Sequence, residues 1–189
     1  VTDSNVKNIE ELSDSYLDIL ENPNLSLFTP QIESIIKIIG QVIINDNDYA
    51  QKLVDWQVGK KLANIIDRFP RHTLAHLTIT NFALTAIDVP NFPDLVDAVI
   101  KPLYEVAAQS FQDGKPAEFR GFGYNFHSSV TTKMKEKNLQ PIPIEFCFNN
   151  ETKSKVDQLN KVVENSYGGE LPQQQPEDAD ELGNLTPEQ

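Results

Sequence analysis

The sequence predicts an α+β fold in which amphipathic helices flank a small antiparallel sheet. Residues 93–111 repeat apolar side chains at steps of three and four, which is typical of an amphipathic helix. Residues 114–126 read as a turn, a strand, a bend and a second strand, because glycines flank Phe122 and favour a sharp bend. Residues 140–148 carry the apolar run of a third strand.

These patterns place the elements of the predicted sheet and its helices. We expect strands near residues 115–121, 123–130 and 140–148. Helices near 93–112 and 151–166 precede and follow them.

The first third of the chain predicts helices and no strand. Thr29-Pro30 is a typical helix start, with threonine at the cap and proline in the first turn. Helices are predicted over residues 8–21, 30–44, 49–56 and 58–69.

The sequence therefore divides into three parts. Residues 1–69 form a helical N-terminal extension, 70–167 form the α+β domain, and 168–189 form an acidic tail rich in proline and glutamine. That tail carries six acidic residues and no lysine or arginine, so it is expected to extend from the domain and dock on a neighbouring subunit.

One combination of motifs resembles a known family. An amphipathic helix, the turn Gly114-Lys115-Pro116 and the run Arg120-Gly121-Phe122-Gly123 are similar to the HU/IHF family of histone-like proteins. Residues 140–148 resemble that family's last strand, and residues 151–165 its closing helix. The resemblance implies an HU/IHF-like domain with two helices, a three-stranded sheet carrying a short β-arm, and a closing helix.

The same resemblance implies a duplex-bending role, with Arg120 and the arm lysines Lys133, Lys135 and Lys137 as DNA contacts. The negative net charge of the chain argues against DNA binding. The chain carries a formal net charge of −12, whereas binding to DNA depends on neutralising phosphates. DNA binding is therefore the alternative, and we expect it to be weak or absent.

The preferred interpretation is a structural subunit that assembles with copies of itself and with other proteins. Members of this fold occur in virions of tailed phages, in connector or tail rings, and the resemblance extends that expectation here. The residues expected in the core or at a subunit contact are Gly121, Phe122, Gly123, Phe126, Phe146 and Phe148, with Phe119 beside them.

Two other interpretations compete with this fold. The run Arg120-Gly121-Phe122-Gly123-Tyr124 also fits the start of an RNA-recognition strand, but Asn125 and His127 stand where aliphatic and aromatic residues belong. The triplets beginning at Gly40, Asn81 and Gly123 recur about every 42 residues, an armadillo-like helical period. The third repeat would need a helix through Gly121 and Gly123, each costing about 1 kcal/mol.

No motif indicates an enzyme, and no catalytic, cofactor or metal residue is predicted. His72 and His76 share a helix face at a spacing that can bind a metal, but no further ligand accompanies them. The single cysteine, Cys147, is expected to be a buried thiol.

The hydropathy of the sequence indicates where in the cell the protein is expected. The chain contains no run of eighteen apolar residues and no secretory signal pattern at its first residues. We therefore expect a virion or cytoplasmic protein without a membrane span.

Overall fold

A computed structural model describes residues 19–20, 26–90, 93–139 and 150–164, and all of its regular structure is helical. Seven helices have their bounds within these residues. They are α1 (Pro30–Asn45), α2 (Asn47–Asp55), α3 (Val58–Arg68), α4 (Thr73–Asp88), α5 (Pro93–Gln109), α6 (Ala117–Glu136) and α7 (Asn150–Glu164).

The prediction of a β-sheet is wrong. Residues 115–121 and 123–130, expected as two strands, lie mostly within the single continuous helix α6, and the described residues contain no strand. The third predicted strand, at 140–148, falls outside the described residues. The HU/IHF-like α+β domain is therefore replaced by an all-helical arrangement.

The aromatic spacing explains why α6 is a helix despite its glycines. Phe119, Phe122 and Phe126 stand at steps of three and four, so a helix places all three rings on one face. All three are buried. Burying a phenylalanine stabilises by about 1.5–3 kcal/mol, so three of them outweigh two helical glycines at about 1 kcal/mol each.

The helices predicted from residue 30 onward outside the sheet are present. The helix predicted over residues 8–21 lies outside the described residues except for residues 19–20. The helix that starts at Thr29-Pro30 is α1, and residues 49–56 and 58–69 correspond to α2 and α3. The helix predicted at 93–112 is α5, which ends at Gln109, and the predicted closing helix is α7.

Helices α1, α4 and α6 lie side by side and point in the same direction. Phe28, just before α1, contacts His72, just before α4, with ring centroids 5.1 Å apart. Further along, a Cβ placed on Gly40 of α1 would lie 3.5 Å from the Phe82 ring of α4. The starts of these two helices therefore meet, and so do their later turns.

The same orientation relates α4 to α6. His76 in the first turn of α4 packs on Phe122 near the start of α6, with ring centroids 5.1 Å apart. Asp88 at the end of α4 pairs with Lys133 near the end of α6. The three helices thus form one parallel layer.

Helices α3 and α5 form a second layer against the first. They run in the same direction, because Gly59 packs on the backbone of Ala98 and Val99 while later residues of both helices, 60–67 and 102–109, line one cavity. Helix α5 runs antiparallel to α6, because Tyr104 contacts Phe126 while the later residue Ala107 approaches the earlier Gly123.

The parallel layer repeats along the sequence. Its helices begin at Pro30, Thr73 and Ala117, which are 43 and 44 residues apart. Buried positions repeat in the same register: Ile32, Ala75 and Phe119; Ile36, Ile79 and Gly123; Ile39, Phe82 and Phe126. The spacing is close to that of the helical-repeat alternative, but its triplets beginning at residues 40, 81 and 123 start at the eleventh, ninth and seventh residues of α1, α4 and α6 and so do not mark the structural register.

Helices on both sides of residue 69 share one hydrophobic core. None of the helices in the described ranges is both long and apolar enough to cross a membrane.

Replacing either of two glycines by alanine is expected to change the stability of the protein in opposite directions. Gly121 lies on the exposed side of α6 in its second turn, and a Cβ there meets nothing within 4 Å, so Gly121→Ala is expected to stabilise by about 0.5–1 kcal/mol. A Cβ on Gly59 would lie 2.8 Å from the Val99 Cα and closer still to the Ala98 carbonyl oxygen. Because backbone atoms cannot move aside, Gly59→Ala is expected to destabilise by at least about 2 kcal/mol.

Urea unfolding followed by circular dichroism measures both variants against the parent. A Gly59→Ala protein as stable as the parent would contradict the close contact of α3 with α5.

Candidate protein-binding groove

A groove with a volume of about 300 Å³ runs between α3 and α5. Its apolar floor consists of Ala63, Pro102 and Val106. Its polar rim consists of Lys60, Asn64 and Asp67 on α3 and of Glu105 and Gln109 on α5. We call this feature the α3–α5 groove.

The backbone contact at Gly59 determines how the groove begins. Pro102 lacks an N–H, so the Ala98 carbonyl has no helical hydrogen-bond donor four residues later. Gly59 has no side chain and packs directly on that carbonyl. Helix α3 therefore lies close to α5 at this point, and the groove follows immediately in both helices.

The rim side chains are available to a ligand. All five are exposed, and within the described part of the chain none of their head groups makes a hydrogen bond or an ion pair. Together they offer one ammonium, two carboxylates and two amides. Such a rim can hydrogen-bond a polypeptide backbone and pair with its charged side chains, while the floor accepts apolar atoms.

None of these rim residues was predicted from the sequence as part of a binding site. The signal was present, because Lys60, Asn64 and Asp67 are spaced by four and three residues and Glu105 and Gln109 by four. Such spacing marks one helix face, but it is also what any solvated face shows. Only the packing of α3 beside α5 brings the two stripes together.

The predicted DNA-binding residues are separated. Lys133 lies in the last turn of α6, and Lys137 lies one turn later, directly after the helix ends. Both pair with Asp88 of α4, at N–O distances of 2.9 and 2.8 Å. Lys135 and Arg120 are exposed elsewhere on α6. The four residues were expected on a strand and a β-arm, and that placement is wrong because α6 is a helix.

Asp88 holds the ends of α4 and α6 together. Burial raises the pKa of the Asp88 carboxyl, but hydrogen bonds and charge attraction from Lys137 and Lys133 outweigh it and leave the pKa below its ordinary value. Two of the three expected arm lysines therefore serve an interhelical ion pair.

The residues predicted for the core divide between described and undescribed segments. Phe122, Gly123 and Phe126 are buried inside the chain, and Gly121 is exposed on α6. Phe146 and Phe148 lie outside the described residues, as do Cys147 and the acidic tail.

Gly123 lets α6 approach the end of α5. A Cβ there would lie 2.8 Å from the Ala107 carbonyl oxygen and would overlap the Ser110 hydroxyl, which donates a hydrogen bond to that carbonyl.

The histidines have structural partners. His72 caps α4, because its Nδ1 accepts a hydrogen bond from the Ala75 N–H at 3.2 Å. His76 Nε2 donates to the Phe69 carbonyl at 3.1 Å while its ring packs on Phe122. Among the described residues, no group of three histidine, cysteine, aspartate or glutamate side chains could hold a metal ion.

Two histidines are held in an environment that favours the neutral ring. Burial lowers the pKa of His76, and the hydrogen bond to Phe69 opposes this only in part. Burial also lowers the pKa of His127, and the charge of Lys135 lowers it further. The Tyr104 hydroxyl lies 3.3 Å from His127 Nδ1, and the tautomer of the ring decides which of the two groups donates the hydrogen bond.

Comparison with known proteins gives no relative. No protein-family model, no curated protein and no solved structure matches the chain.

The lowered histidine pKa values predict a loss of stability in mild acid. The unfolded chain binds protons at these rings near pH 6.5, above the pKa values in the folded chain. The free energy of unfolding therefore falls as the pH falls through about 6.5, by up to about 1.4 kcal/mol per pH unit for each ring. The loss ends below the folded-state pKa values.

Urea unfolding between pH 8 and about pH 5.5 measures this slope, above the range in which carboxylates titrate. The double variant His76→Phe with His127→Phe is expected to lose most of it. An unchanged slope in the double variant would show that other groups cause the pH dependence.

The lysine geometry predicts an effect on stability. Lys133→Ala with Lys137→Ala should lower the free energy of unfolding by about 1 kcal/mol, because both half-exposed ion pairs with Asp88 are lost. Lys135→Ala is the control on the same helix and should change it by less than about 0.5 kcal/mol. We expect no duplex binding by any of these proteins at about 0.15 M salt. Submicromolar binding that the double variant abolishes would instead support the DNA contacts.

Proposed function

We propose that this chain is a non-enzymatic scaffold that binds an extended segment of another protein in the α3–α5 groove. The observation that carries the proposal is the groove itself, in which five exposed polar side chains surround an apolar floor. Stacked helices support such a role, because proteins built from stacked helical repeats use their extended surfaces for binding.

The chemistry of the rim favours a polypeptide as the ligand. Asn64 and Gln109 each carry an amide that can both donate to and accept from a peptide backbone. From Lys60 to Asp67 the groove follows seven residues of helix, or about 10 Å. About three residues of extended chain cover that length.

Assembly into a larger complex, such as a virion ring, stays a prediction of the sequence. The helical layers support protein binding in general, and nothing in them replaces or repeats the sheet that the HU/IHF resemblance implied. The duplex-binding alternative has no support from the arm lysines, two of which pair with Asp88.

Site-specific photo-crosslinking tests the proposal. A benzophenone amino acid at Asn64 in the groove is compared with the same amino acid at Asn125, an exposed position on α6. In an extract of the source cells, we expect the probe at position 64 to give a discrete crosslinked protein that position 125 does not give.

A groove-filling variant supplies the control. Gln109→Trp should abolish the crosslink from position 64, whereas Gln41→Trp, at an exposed site on α1, should leave it unchanged. Equal crosslinks from both probe positions, or a crosslink that persists in Gln109→Trp, would refute binding in the groove.

A further inference from the structure

We infer that the α3–α5 groove selects a segment with a basic residue at one end and an acidic residue about three positions away. This inference rests on the proposed function and names the chemistry of the bound segment. It follows from the register between the two helices and from the order of charges along the groove.

The register places two carboxylates opposite each other. Gly59 lies at the level of Ala98, and α3 and α5 run parallel, so Asp67 stands at the level of Val106. Glu105 is one residue before Val106, on the facing wall of the same groove. One end of the groove therefore presents two negative charges from opposite sides, a geometry that suits an arginine or lysine side chain.

The other end carries the opposite charge. Lys60 follows Gly59 directly, near the start of the groove and about 10 Å from Asp67 along the helix. A basic residue held by Asp67 and Glu105 places the residue three positions away beside Lys60. Lys60 attracts a carboxylate there and repels a second cation, so the groove distinguishes a dipolar segment from a uniformly basic one.

The middle of the groove needs no charge. Asn64 lies between Lys60 and Asp67, and Ala63 and Val106 form the floor beside it. Small residues suit the two central positions of the segment, because the amide can bond to the backbone while small side chains rest on the floor.

Long-range attraction does not add to this preference. The chain has a formal net charge of −12, which favours the approach of a net-cationic segment over a dipolar segment of zero net charge, so the discrimination between the two depends on Lys60 at close range. The rim charges are exposed, so each pair contributes little and the selectivity is expected to be moderate and sensitive to salt.

Fluorescence anisotropy with synthetic peptides tests the inference on the full 189-residue chain. The dipolar probe is a labelled, end-capped Gly-Ser-Asp-Ala-Ala-Arg-Ser-Gly peptide. Its neutral counterpart carries Asn and Gln in place of Asp and Arg, and a basic counterpart carries Arg at both positions. The dipolar peptide is expected to bind at least about fivefold more tightly than the neutral one at low salt. At about 0.15 M salt, where long-range attraction is largely screened, it is also expected to bind more tightly than the basic one.

Two charge-reversal variants locate the effect. Asp67→Lys with Glu105→Lys should abolish the preference for the dipolar over the neutral peptide. Glu118→Lys with Glu136→Lys makes the same change in net charge on exposed positions of α6 and should keep that preference. Circular dichroism melting shows whether both variants are folded.

The outcomes separate this inference from the proposed function. If position 64 crosslinks a protein but the dipolar peptide fails to bind, or binds no better than its counterparts, the charge preference is refuted while the groove remains a binding site. If position 64 gives no crosslink, the proposed function fails.

An apolar surface on α4 offers a competing location. Leu74 and Leu77 are 42% and 55% exposed there. Peptide binding that is lost in Leu77→Ser and retained in the groove variants would overturn the inference.

Discussion

The contact of Gly59 with the Ala98 carbonyl is the constraint on which the second layer depends. Pro102 leaves that carbonyl without its helical donor, and Gly59 supplies the only kind of surface that fits against it, a backbone without a side chain. A Cα–H group directed at a carbonyl is a weak attraction, so the contact acts mainly by fixing how closely α3 approaches α5. The width and floor of the α3–α5 groove follow from that approach.

The layer formed by α1, α4 and α6 also depends on a glycine that permits close packing and on aromatic rings that fill the space between helices. Gly123 lets α6 approach the end of α5, and the neighbouring phenylalanines fill the space between α4 and α6. His76 lies against Phe122 in that space and donates a hydrogen bond to Phe69, so a polar ring is buried without losing its hydrogen bond. Asp88 then joins the far ends of α4 and α6 through two lysines.

Helical periodicity predicted most of the helices, because their apolar stripes face a shared core. In α6 two local signals disagree: Gly121 and Gly123 favour a bend, whereas the spacing of the three phenylalanines favours a helix. The helix forms because burying three aromatic rings stabilises it by more than the two glycines cost. The groove could not be predicted, since its two walls are about 40 residues apart in sequence. The register of α3 against α5 is set by the contact between Gly59 and Ala98. Neither segment carries a sequence pattern that predicts this contact.

The most direct test of this account is a nuclear Overhauser effect between the Hα protons of Gly59 and Val99 in isotopically labelled protein. A Cβ on Gly59 would lie 2.8 Å from the Val99 Cα, so the Hα protons of the two residues are close enough for a strong cross-peak. The account predicts that cross-peak, together with helical carbon chemical shifts through residues 117–136. Assigned spectra in which Gly59 shows no contact with Val99 would contradict it, because α3 and α5 would then not enclose the groove.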